Sequence, residues 1–192
     1  MSDPLEEAVA PEPLLRPPGE TGEEVVQHAA GELRIPAGYT VLEGGPNGNG
    51  RSVGITVSRF NGEITSLMLE RALDTLAEEG VAREAITVMP VPGAFELPLA
   101  AMALAKTRRY ACIIALGAVI RGETPHFDYV AGEAASGLQL AALETGVPVA
   151  FGVLTVDTVA QAVERIDRAG DAVRTALEMA DVFTQLRSAA TS

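Results

Sequence analysis

The chain has 192 residues, room for one compact domain plus an extension and not comfortably for two. Apolar residues make up 47% and aromatic ones only 4%, with no tryptophan, so aliphatic side chains must fill the core. A net charge of −12 argues against nucleic acid or an anionic membrane as main partner, and no apolar run reaches the roughly 18 residues that a spanning helix needs.

Residues 1–38 hold eight acids against two arginines, and six of the twelve prolines. Such a segment cannot bury enough apolar surface to offset the entropy of ordering it, so it reads as a disordered acidic arm. Its opening, MSDPLEEAVAPEPLL, lacks the basic start and apolar stretch of a secretory signal. The single cysteine, Cys112, lies in the apolar run ACIIALG and reads as a small core residue, so the expected compartment is the cytoplasm.

From residue 39 to 188 the pattern is that of a folded domain, with 189–192 as a short tail. Residues 39–43 (YTVLE) read as a short strand, followed by the turn-rich GGPNGNG. Residues 52–58 form a β-branched strand. A helix is expected over 62–80, with Ile64, Leu67, Met68, Leu73, Leu76 and Ala77 on its apolar side. Asn61 stands at its N-cap, Glu63 in its first turn and Gly80 at its end. A strand over 86–91 leads through PGAFELP into a helix near 96–107. Next come a strand over 111–117, a loop through Asp128, a helix from about 129 to 145, a strand over 148–154, and a helix or helix pair from about 158 to 187.

Strands alternate with helices, and the strand runs are apolar throughout, which is the pattern of a parallel sheet covered on both faces. Right-handed crossovers then make a flavodoxin-like three-layer α/β/α sandwich the simplest fold, with a mainly four-stranded parallel sheet plus the short N-terminal strand. In such sheets ligands bind beyond the carboxyl ends of the strands. That rule selects Ser58–Asn61, Val91–Glu96, Gly117–Asp128 and Thr155–Asp157.

These segments carry chemistry. The loop Gly117-Ala-Val-Ile-Arg-Gly-Glu-Thr-Pro-His-Phe-Asp-Tyr129 contains one of the two histidines. Histidine is the side chain best suited to passing protons near neutral pH, so His126 is a candidate acid–base group. The bland alternative is that it caps a helix or packs on Tyr129. Gly122, Glu123 and Thr124 could offer backbone N–H groups and a hydroxyl to an anion. In Pro92-Gly-Ala-Phe-Glu96, Glu96 could accept bonds from hydroxyls or merely complement a helix dipole. Phe60 could stack on a flat heterocycle or cover the core. Ligand spacing for a metal, a phosphate loop, a GxGxxG fingerprint and a GxSxG elbow are all missing, so no metal or nucleotide cofactor is expected and a serine triad has no elbow.

In order, Ser58–Asn61, Pro92–Pro98, Gly117–Tyr129, Phe151–Thr155 and Gln161–Arg165 resemble the lumazine synthase family, and the likeness runs over about 39–187. The resemblance implies condensation of 5-amino-6-ribitylaminouracil with 3,4-dihydroxy-2-butanone 4-phosphate in riboflavin biosynthesis, without metal or cofactor. It also implies a homopentamer, alone or built into a decamer or 60-subunit shell, with sites between neighbouring subunits. By position, Phe60 would stack on the pyrimidine beside Asn61. Ala94, Phe95 and Glu96 would meet the ribityl chain, and Val119 and Ile120 would give backbone contacts to the uracil. Gly122, Glu123 and Thr124 would line the phosphate site, and His126 would transfer protons. Phe151 and Arg165 would come from the adjacent subunit, the arginine to bind phosphate. The chain departs from the family after Arg165, where Ile166–Asp171 is shorter than usual; Arg168 stands for the usual lysine and Asp171 for the usual acid. That departure raises two other readings. One is a shell-forming or flavin-binding relative without full catalysis, the other a pentameric riboflavin synthase, which the Gly122–His126 pattern disfavours.

Overall fold

Six consecutive buried residues make the central strand β1, Val53–Ser58. Strands β2 (Ile86–Val91), β3 (Cys112–Ile120) and β4 (Val149–Val156) join it, all parallel, in the order β2-β1-β3-β4. Helices α1 (Gly62–Glu78) and α5 (Arg168–Ala189) cover one face, over Ile55, Met68, Leu76, Ile114 and Leu177. Helices α2 (Leu97–Lys106) and α3 (His126–Thr145) cover the other, over Leu97, Ala101, Ile113, Leu138 and Val153. A short helix α4 (Val159–Val163) follows β4. The result is a three-layer α/β/α sandwich. The computed structural model describes Leu33 and residues 35–189, and residues 40–192 cluster as one unit to which all these elements belong. Apart from Leu33 and residues 35–38, the arm expected over 1–38 lies outside the described residues.

Helix placement follows from strand order. The chain moves from β1 outward to β2, then back across β1 to β3 and on to β4. Right-handed crossovers put α1 on one face for the first move and α2 and α3 on the other for the return. Two glycines end helices in the left-handed region, Gly80 after α1 (φ +86°) and Gly146 after α3 (φ +65°).

Several expectations need correction. Residues 39–43 are not a strand: a strand requires a ladder partner, and Glu43 instead offers its carbonyl to Gln185 Nε2 on α5, at 2.8 Å. The apolar side of α1 is the stripe Ile64, Met68, Ala72 and Leu76, flanked by Thr65 and Thr75. Leu67 and Ala77 therefore face outward, because a 3.6-residue period continued from Ile64 favours i+4 steps. Strand β2 is covered on neither face along most of its length, as its edge position allows, and Pro90 fits an edge. Strand β3 runs three residues further than expected, because β4 extends to Val156 and keeps pairing with it. Helix α3 begins three residues earlier, at His126, behind Pro125, whose fixed φ of −64° suits a helix start.

Cys112 is buried in β3, and loss of hydration pushes its thiol up to about 12, so the neutral form persists. At the start of β1, Arg51 meets Asp181 on α5 at 2.6 Å. The Gly45 N–H first, then the Gln185 amide and Arg51, hold the Asp181 carboxyl below the usual range. Arg108, just past α2, adopts φ +58°, a left-handed conformation that costs a non-glycine residue about 1–2 kcal/mol. Its Nη1 donates to Thr145 O, an otherwise free carbonyl at the end of α3.

Thr56, in the middle of β1, is fully buried, and its Oγ1 has no hydrogen-bond partner among the described residues. An unpaired buried hydroxyl costs about 1–3 kcal/mol. Thr56→Val is therefore expected to raise the free energy of unfolding by about 1 kcal/mol or more. A urea midpoint that stays put or falls would show that the hydroxyl is satisfied in solution.

Candidate functional site

The strand ends are staggered. β1 pairs with β2 up to Ser58–Val91 and with β3 up to Val57–Leu116, whereas β3 continues through Gly117–Ile120 beside β4 alone. This is also where the strand order reverses, since β1 leads outward to β2 and β3 leads to β4. A cavity of about 570 Å³ opens there.

Its walls come from three strand-to-helix junctions. Phe60 and Asn61 follow β1, Gly93 to Glu96 follow β2, Ala118 to Ile120 end β3, and Gly122, Thr124, His126, Phe127, Tyr129 and Val130 come from the β3–α3 junction. Asn61 occupies the left-handed region (φ 57°, ψ 43°) at the start of α1, where asparagine is one of the few side chains tolerated. It makes no cap; its Nδ2 donates to Ala118 O at 2.8 Å across the gap that β1 leaves. Backbone direction alternates along a strand. The Arg121 N–H donates to Val156 O at 2.9 Å, so Val119 and Arg121 turn toward β4, and Ala118 and Ile120 turn toward the cavity. The N–H and C=O of Ile120 thus face a space with no ladder partner.

Gly93 admits the Glu96 carboxylate, for a Cβ there would stand 3.1 Å from Glu96 Oε2. Phe60 is 71% exposed and Phe95 56%, a large apolar exposure for two rings facing one opening. His126, Tyr129 and Val130 stand at i, i+3 and i+4 on the first turns of α3, which aligns them along one face.

Arg121 closes the far side of the loop. Its Nε meets Asp157 Oδ1 at 3.0 Å, its Nη1 meets Asp128 Oδ1 at 3.2 Å, and its guanidinium lies 4.1 Å over the Phe127 ring. The hydrogen bond to Asp157, with further help from Asp128, raises its already high pKa. One side chain therefore ties the end of β3 to the first turn of α3 and to the β4–α4 junction. Arg121 is spent on these carboxylates, and no Lys or Arg lines the cavity.

The structure gathers most of the residues singled out above: Phe60, Asn61, Ala94, Phe95, Glu96, Val119, Ile120, Gly122, Thr124 and His126 all border this cavity. Glu123 belongs to the same loop but points outside the lining, exposed. Phe151 is an exposed residue of edge strand β4. Arg165, after α4, donates to Gln161 O at 2.9 Å and pairs with Glu164, and Arg168 pairs with Asp171 at 3.1 Å. None of these four lines the cavity of its own chain. Gly93, Ala118 and Phe127, inside the selected strand-end segments, also border the cavity, as do Tyr129 and Val130, for which no site role was expected. With the helix expected to start at 129, the shared face of His126 and Tyr129 could not be seen.

The fold and cavity define a doubly wound α/β protein with a switch-point site for a flat, polar small molecule. Residues 50–184 match the model of the 6,7-dimethyl-8-ribityllumazine synthase family. The chain is 51% identical over 152 residues to a curated 6,7-dimethyl-8-ribityllumazine synthase from Syntrophus aciditrophicus (strain SB), covering 77% of this chain and 99% of that protein. The chain belongs to the 6,7-dimethyl-8-ribityllumazine synthase family.

Arg121→Met tests the clasp. Exposed ion pairs contribute about 0–1 kcal/mol each, so the urea midpoint should move little. Amide exchange across 122–128 should quicken, because the loop loses its only tie to the β4–α4 junction among the described side chains. Unchanged exchange would show that the backbone holds the loop unaided.

Proposed function

We propose that the chain is a transferase of riboflavin biosynthesis that condenses 5-amino-6-ribitylaminouracil with 3,4-dihydroxy-2-butanone 4-phosphate to 6,7-dimethyl-8-ribityllumazine. The observation that carries this reading is one cavity in which Phe60, Glu96, the free edge of Ile120 and His126 converge. The Phe60 ring offers a face for the pyrimidine. The Ile120 N–H and C=O match the alternating donors and acceptors of a uracil edge. The Glu96 carboxylate accepts from ribityl hydroxyls. Identity of 51% with almost the full length of a curated synthase favours a working enzyme over a non-catalytic relative.

The chemistry is addition and elimination. The amine adds to the ketone, water leaves to give an imine, phosphate is eliminated, and the second amine closes the ring with loss of water. Every step moves a proton, and His126 stands where it can give and take them. Holding the two reactants together is the larger contribution, since good orientation supplies on the order of 7–11 kcal/mol in favourable cases.

The phosphate tells us about assembly. Gly122–Thr124 and the amino end of α3 offer N–H groups and a positive helix end. A dianion also calls for a cation, and the chain's own cavity supplies none beyond His126. Arg165, with Arg168, completes the site from a second copy, where Phe151 also enters. Apolar surface along the β4 edge supports such packing: a groove of about 350 Å³ runs between Leu143, Val149, Met179 and Phe183, and Leu143 is 75% exposed. A homopentamer is the expected unit, and light scattering separates it from a decamer or a 60-subunit shell. No helix among the described residues is long and apolar enough to cross a membrane, and a cytoplasmic location is the accompanying proposal.

Purified protein mixed with both substrates should form the lumazine chromophore faster than the uncatalysed background. His126→Ala should lower kcat by about 10²–10⁴-fold with the oligomer intact. Arg165→Ala should chiefly raise KM for the phosphate substrate. A folded oligomer that gives no acceleration would defeat the proposal, and wild-type kinetics in both variants would defeat the residue roles.

A further inference from the structure

A second opening, of about 390 Å³, lies at the amino ends of the strands, the end of the sheet opposite the catalytic cavity. Arg51, Arg108, Arg109 and Arg187 line it together with Tyr110 and Pro148, and among the described residues no acid is part of its lining. Four of the fourteen basic residues of a chain with net charge −12 meet at this one place.

Structural duty explains some of these arginines. Arg51 is used up by Asp181, Asn47 O and Thr184 Oγ1. Arg108 spends one donor on Thr145 O, where a cation also complements the negative end of α3. Its other donors are uncommitted, and the guanidinium of Arg109 has no partner among the described residues. The carboxyl ends of α2 and α3 each contribute roughly half a negative charge. Together they offset about one of the two charges on Arg108 and Arg109, and Lys106 already complements α2. A net positive pocket remains. Moreover, the backbone at Arg108 is left-handed, a conformation for which glycine is the easy choice, so the chain keeps an arginine there against its local preference.

We propose that this opening binds a phosphorylated small molecule, with the phosphate between the guanidinium groups of Arg108 and Arg109 and its organic part against Tyr110 and Pro148. Planar guanidinium forks pair with two oxygens each, and a tetrahedral dianion can satisfy two forks at once, which a single carboxylate cannot. The site is separate from the reaction and does not rest on the proposed activity.

Calorimetric titration of inorganic diphosphate into the full-length, assembled protein tests this. Two classes of site are expected, one at the strand carboxyl ends and one here. Arg109→Ala and Arg108→Gly should each weaken one class at least tenfold and leave kcat unchanged, while Arg165→Ala should spare that class. Glycine accepts the backbone at 108, so loss of binding in Arg108→Gly with an intact urea transition is not unfolding. A single class that both variants weaken would support the proposal, whereas binding that Arg108→Gly and Arg109→Ala both leave unaltered, or no binding at all, would overturn it. So would a glutamate hexapeptide that competes as well as diphosphate, which would assign the opening to an acidic peptide.

Discussion

The stagger between β1 and β3 is the constraint on which the rest of the site depends. In a parallel sheet every strand points the same way, so all loops that can meet a ligand emerge at one end. β1 stops at Ser58, and β3 runs on through Gly117–Ile120 with only β4 for a neighbour. The unpaired edge this leaves would be costly if it were simply buried, since backbone N–H and C=O groups need partners. Asn61 answers for Ala118 O, and it can do so because it takes a left-handed turn instead of capping α1. Ile120 keeps an N–H and a C=O without a ladder partner. The same residue conformation thus ends one strand, starts one helix and leaves one backbone edge open.

Around that edge the site is built to hold a substrate rather than to hold itself together. Phe60 and Phe95 leave their rings toward water, an arrangement that costs stability unless something flat covers them. Arg121, next to the loop, is paired with Asp128 and Asp157 and stacked on Phe127. It positions the loop and is not available to an anion. The proposed site shared between copies rests on this charge balance, since a phosphorylated reactant would need its countercharge from elsewhere.

Much of this was legible in the chain. The five apolar runs and their glycine and proline punctuation located four strands to within a few residues, and the strand-end rule alone selected four segments, of which three border the cavity; Thr155–Asp157 does not, and Asp157 meets the loop only through Arg121. What could not be read was phase and partnership. Leu67 and Met68 both suit an apolar helix face, and only packing on Ile55 and Ile114 decides between them. YTVLE has strand-like composition, but strands exist in pairs and its segment instead meets α5. The start of α3 depends on Pro125, which suits both a loop and a first helical turn, so composition alone does not place the boundary. The clasp of Arg121 joins residues 36 positions apart, and no local pattern announces it.

The short turn after Arg165 illustrates how a departure in length can be absorbed. Asp167 meets Arg71 Nε at 3.2 Å, and Arg71 in turn meets Glu78 at 3.3 Å on the same helix. Gly170 approaches α1 so closely that a Cβ would stand 2.9 Å from Thr75 Oγ1. Close packing at Gly170 holds the start of α5 against α1, and the exposed Asp167–Arg71 pair adds little to it. The turn's two outward arginines meet only exposed acids, Glu164 for Arg165 and Asp171 for Arg168. Such pairs contribute about 0–1 kcal/mol, so a phosphate dianion can displace them at little cost. Lightly held guanidinium groups on a packed segment are compatible with the phosphate role proposed for Arg165 and Arg168, short though the segment is.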